Sequence, residues 1–182
     1  NFNLGKWSDN PDIGLVNFNS KVAQGKGLTL NTVSADLDAT IKSLYFKKYQ
    51  YKDVILDGKI DKNTFAGIFK VDDDNLNFIF EGTFEYFEKQ AFLNFKSKVN
   101  RIDLYALNLS ATPLSFNADL DINLSGTGIN DFVGDIDIRN LAMNVKDSTY
   151  KLENVYILSR LLAKGGKELK VESELGMVSI NG

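Results

Sequence analysis

The segment LSFNADLDINLSG, residues 114–126, alternates without interruption: Leu114, Phe116, Ala118, Leu120, Ile122 and Leu124 are apolar, while Ser115, Asn117, Asp119, Asp121, Asn123 and Ser125 are polar. Successive side chains of a β-strand point to opposite faces, so a period of two specifies a strand with one dry and one wet face. The spacing Asp119-x-Asp121-x-Asn123 also copies the first half of a calcium loop. Such a loop requires glycine at its sixth position and a carboxylate at its twelfth, and these places hold Leu124 and Asn130. The alternation therefore decides for a strand, with Asp119 and Asp121 on its solvated side.

The same pattern recurs along the chain. NLNFIFEGTFEYF sets Leu76, Phe78, Phe80, Phe84 and Tyr86 on one face, with Gly82 at a bend, and AFLNFKSKVN sets Ala91, Leu93, Phe95 and Val99 on one face. With FEKQ as a reversal between them, the two predict a hairpin. GDIDIRN, LAMNV, YKLENVYIL, ELKVESEL and GLTLNTV are shorter pieces of this kind, separated by Gly, Asn and Asp turns. At a typical length near six residues, roughly ten to twelve strands are expected. ADLDATIKSLYFKKY has apolar residues at helical spacing, but Ala35, Leu37, Ala39 and Ile41 also alternate, which favours a strand. YILSRLLAKGGKEL has room for one helical turn before Gly165-Gly166. With only Pro11 and Pro113 and no low-complexity linker, residues 1–182 read as a single all-β domain, and both ends read as the interior of a longer chain.

Several function classes are disfavoured. A net charge of −3 with only three arginines does not suit phosphate binding, so no nucleic-acid partner is expected. The chain has no histidine and no cysteine, which removes His-based triads, thiolate metal sites and cysteine nucleophiles. No apolar run approaches the ~20 residues of a transmembrane helix. The pairs Asp119/Asp121 and Asp135/Asp137 would lie roughly 7 Å apart on an extended strand, a separation glycosidases use. Both pairs fall on polar sides, where neither member is desolvated, so no catalytic residue is assigned. The acidic stretch VDDDN, residues 71–75, reads as a turn, and no metal ligand or cofactor is assigned. KSLYFKKYQYKDV, which interleaves Tyr45, Tyr49 and Tyr51 with lysines, reads as a strand edge guarded by Lys.

These strands pose a problem of cover. An apolar face must be hidden by a second sheet, by closure into a barrel, or by something other than protein, and no helical layer is in sight. Many of the thirteen Phe lie on the dry faces, which suits either a filled sandwich core or a wide, yielding wall. The wall so defined comprises Leu76, Phe78, Phe80, Phe84, Leu93, Phe95, Leu114, Phe116, Leu120 and Ile122.

The ordered series YQYKDVILDGKIDKNTFAGIFKVDDDNLNFIFEGTF, FKSKVNRIDLYALNLS, GDIDIRNLAMNV, YKLENVYILS and ESELGMVSING, which lies within residues 36–182, resembles the AsmA-like superfamily. It departs from that pattern at Asp74, where a proline is expected. The resemblance implies a periplasmic part of an inner-membrane-anchored protein of a Gram-negative-type envelope. Its sheet would fold into an elongated half-pipe, the β-taco, whose apolar groove conducts phospholipid acyl chains between the membranes. The resemblance also implies a link to outer-membrane β-barrel proteins, through strand templating at a sheet edge. A sugar-binding β-sandwich is the remaining alternative. At about 0.8 kcal/mol per methylene, a sixteen-carbon chain represents roughly 12 kcal/mol that a conduit must preserve, which a continuous wall of Phe, Leu and Ile would do.

Overall fold

A computed structural model describes residues 2–3, 12–27, 32–87, 90–127, 131–163 and 165–182. Among them every regular element is a strand: β1 (Phe2–Asn3), β2 (Ile13–Lys26), β3 (Ser34–Phe46), β4 (Tyr49–Asp61), β5 (Thr64–Asp72), β6 (Leu76–Phe87), β7 (Gln90–Asp103), β8 (Leu114–Gly126), β9 (Val133–Val145), β10 (Ser148–Leu161), β11 (Lys167–Ser173) and β12 (Gly176–Asn181). They form one open sheet in chain order, β1 to β12, with every pairing antiparallel.

The local chemistry accounts for this meander. Lys47 and Lys48 both take positive φ, 47° and 65°, as a two-residue hairpin turn requires. KSLYFKKYQYKDV is therefore the β3–β4 hairpin inside the sheet, not a strand edge. The hairpin expected from residues 76–99 is β6–β7, with Phe84 opposite Leu93 and Phe80 opposite Ser97. Both helix candidates are strands. Ala39 and Ile41 pair with Leu56 and Val54, and residues 157–161 continue β10 against β11. The piece GLTLNTV lies mostly outside the described residues.

Many strands run to 13 or 14 residues, about twice the expected length. The reason is visible in β9. Its apolar positions are Ile136 and Ile138, then Leu141 and Met143. Asn140, at φ 54°, resets the alternation, and the β8–β9 register shifts between Asn117 and Asp119. GDIDIRN and LAMNV are thus one strand with a bulge rather than two.

Three glycines align across the sheet. Gly58 faces Gly67, which faces Gly82. A Cβ on Gly67 would lie 2.2 Å from the Asp57 carbonyl oxygen and 2.5 Å from the Gly58 Cα, so the neighbouring backbones approach more closely than any side chain permits.

The sheet is a single layer by area as well. A compact monomer of this mass exposes about 8,800 Å2, whereas this chain exposes 12100 Å2. The strand ends define two margins. The first carries the β3–β4, β5–β6, β7–β8, β9–β10 and β11–β12 connections, and the second carries the β2–β3, β4–β5, β6–β7, β8–β9 and β10–β11 connections.

Candidate functional site

Register places the apolar residues of successive strands side by side. Leu56 faces Phe69, Phe69 faces Phe80, Ser97 faces Leu120, and Leu120 faces Ile138. One step along the strands, Phe95 faces Ile122, Ile122 faces Ile136, and Ile136 faces Ile157. Ring contacts confirm a shared face: Phe69 meets Phe78 and Phe80 with centroids 5.4 and 6.5 Å apart, and Phe80 meets Phe95 at 4.4 Å. Phe95 lies opposite Gly82, and the missing side chain there lets the Phe80 ring lean across.

Two serines interrupt this face, and both turn their hydroxyls into the sheet. Ser97 Oγ donates to the Ile79 carbonyl at 2.9 Å, and Ser159 Oγ donates to the Phe132 carbonyl at 2.8 Å. Among the described residues, no buried side-chain polar atom lacks a partner. The face thus offers little directional hydrogen bonding.

Its two margins differ. Along the first, Val54, Val71, Val99 and Ala118 are 3%, 2%, 5% and 3% exposed. A valine on a single-layer sheet cannot be so buried unless something lies over it. The β7–β8 connection supplies the cover, because Leu107 within it is 1% exposed. A helical turn positions Leu107: its N–H donates to the Asp103 carbonyl, and the Asp103 carboxylate accepts from the Ala106 N–H. Asn108 Nδ2 then donates to the Lys47 carbonyl at 3.2 Å, which ties the connection to the β3–β4 turn.

A polar knot braces the same margin. Asp73 is 5% exposed. Its carboxylate accepts from the Tyr49 hydroxyl, from the Lys52 N–H at 3.1 Å and from the Asn75 N–H at 2.9 Å. Burial, reinforced by this carboxylate, pushes the Tyr49 hydroxyl up to about 12. The neighbouring Tyr51 hydroxyl is raised for the same reasons, burial first. VDDDN is therefore a turn, as its composition suggests, but Asp73 serves as a buried acceptor rather than a solvated charge.

The second margin is more open. Phe84 and Tyr86 are 39% and 47% exposed. A cavity of about 440 Å3 lies there between β7, β8 and β9, lined by Leu93, Leu124, Phe132 and Ile136 with Ser125 and Thr127 at its polar side. Lys167 Nζ sits 4.6 Å from the centroid of the Phe132 ring, which places a cation beside the cavity.

The ten wall residues expected from the sequence distribute over this face from margin to margin. Leu76, Phe78, Leu114 and Phe116 lie toward the first margin: Phe78 faces Val99, and Phe116 faces Ile102 and Met143. Phe80 and Leu120 are central, Phe95 and Ile122 lie one step further, and Phe84 and Leu93 reach the second margin. Sequence reasoning left out Phe69, Val71, Ile136 and Ile138, which extend the wall, although their segments carried the same alternation. It also missed Leu107 and Phe132, which lie outside any alternating run.

The pair Asp119/Asp121 has structural partners on the opposite face. Asp119 accepts from Asn140 Nδ2 at 2.8 Å, and Asp121 pairs with Lys96 at 3.6 Å. Among the described residues, no three acidic groups converge as a metal site would require.

Together the fold and this face define a class, an open antiparallel meander with a mainly apolar side among the described residues. Compared with known proteins, the chain matches no family model, no curated protein and no solved structure.

Proposed function

We propose that this chain is a segment of an AsmA-like envelope protein, similar to the translocation and assembly module subunit TamB, whose sheet curves into a half-pipe. Its apolar face would carry phospholipid acyl chains between the inner and outer membranes. The observation that supports this reading best is the cross-strand register Leu56, Phe69, Phe80, Ser97, Leu120, Ile138 and Val155, apolar from β4 to β10 except at Ser97, on a sheet with no second layer among the described residues. Burying apolar area drives binding without direction, so such a face suits a ligand that must slide rather than dock. The order of sequence segments shared with the superfamily points the same way. On this reading the protein is not an enzyme and works in the periplasm.

The test is photo-crosslinking in cells that express the chain within its parent protein, with a diazirine side chain at Ile122 or at the adjacent Asn123. Lipid adducts at Ile122 and few at Asn123 are expected. Equal, negligible labelling at both positions refutes the proposal.

One feature favours strand templating as a second reading. Met177, Val178 and Ile180 on the terminal strand β12 are about three-fifths exposed, and β12 contains no charged residue to guard it.

A further inference from the structure

The two margins of the apolar face are unequal, and an amphiphilic ligand has two unequal ends. Along β8 the face runs from Ala118, buried at the covered margin, to Leu124 in the cavity wall. Those six steps span roughly 20 Å. One leaflet of a bilayer's hydrocarbon core is roughly 15 Å deep, so a phospholipid acyl chain fits lengthwise along the strand. At the covered end it would meet Leu107, already buried and held by the bond from Asn108 to the Lys47 carbonyl. At the open end lie the Ser125 and Thr127 side of the cavity and the Lys167 ammonium over Phe132. Lys167 faces Leu161 and shares the parity of Leu169 and Val171, so it stands on the apolar side of the sheet. A cation there complements an anionic phosphate head.

We propose that the face takes each acyl chain parallel to the strands, with the phosphate head at the second margin beside Lys167 and the terminal methyl stopped under Leu107. This deepens the lipid-carrying reading and rests on it. Movement from lipid to lipid then runs across the strands, while Leu107 limits the chain length that can be housed.

Lysophosphatidylglycerols with lauroyl, myristoyl, palmitoyl and stearoyl chains provide the probe, with binding to the purified 182-residue chain measured by displacement of a fluorescent lipid. Affinity should rise roughly fourfold per housed methylene and then level off. Leu107→Ala should move that levelling to longer chains, raising stearoyl affinity about tenfold relative to lauroyl, and Lys167→Gln should weaken all four by a similar factor. Because Leu107→Ala could unfold the cap, the unsubstituted chain supplies an independent measurement. A diazirine at the palmitoyl methyl end should label residues 104–118, and one near the ester should label residues 91–95 and 122–127. Uniform or reversed labelling with saturable binding overturns the orientation and leaves the lipid-carrying reading intact. Absence of saturable binding by any of the four lipids overturns both.

Discussion

The two margins of the sheet are built from the same kind of strand, yet one is closed and the other open. At the first, a ten-residue connection between Asp103 and Leu114 carries Leu107 into full burial, and Asp73 gathers three donors from two neighbouring hairpins. At the second, Phe84 and Tyr86 stay substantially exposed beside a cavity. A long antiparallel meander does not treat its ends alike. Whichever side receives the longer connection gains a local core, and the other keeps its apolar surface available.

Stability should divide along this line. Leu107→Ala removes a fully buried side chain and is expected to cost about 2–5 kcal/mol. Leu93→Ala at the half-buried open margin should cost about 1 kcal/mol. Urea unfolding of the two variants measures the contrast, and equal losses would abolish it.

The next effect is a dependence on pH. The Tyr49 hydroxyl titrates at about 12 in the folded chain against an ordinary value of 10.0, so folding favours its protonated form. That contribution is complete below pH 10 and disappears as pH rises toward 12. Tyr49→Phe should cost about 1 kcal/mol at neutral pH and flatten the alkaline loss, as denaturation at a series of pH values would reveal.

The smallest effect should come from the opposite face. Lys96 pairs with Asp121 at 3.6 Å, but its side chain is 78% exposed, so Lys96→Ala is expected to change stability by less than about 1 kcal/mol in the same unfolding assay.

Much of this was legible in the sequence because period-two alternation is a local signal. The phase of β6, β7 and β8, their antiparallel pairing and the absence of a helical layer among the described residues all follow from it. Strand lengths were not legible. Asn140 in β9 and Asp53 in β4 adopt φ of 54° and 48°, and at each the alternation changes phase, which reads as a break. The covered margin was hidden for a different reason. Leu107 looks like any leucine in YALNLS, and its burial depends on distant partners, as does that of Asp73 beneath Tyr49. Contacts that join residues 24 or 61 positions apart leave no local periodicity to read.

The strict chain order of the sheet has a consequence for how its stability is distributed. Each strand is held laterally by its two sequence neighbours, so the molecule approximates a one-dimensional array in which cooperativity passes from strand to strand. Central strands are supported from both sides, while β12 has only β11. Lys167 and Gly182 exchange both backbone hydrogen bonds, so the alternate residues Met177, Ser179 and Asn181 point their N–H and C=O groups away from the sheet. Amide protection should therefore grade from the interior toward this strand, whose outward backbone groups form an open edge.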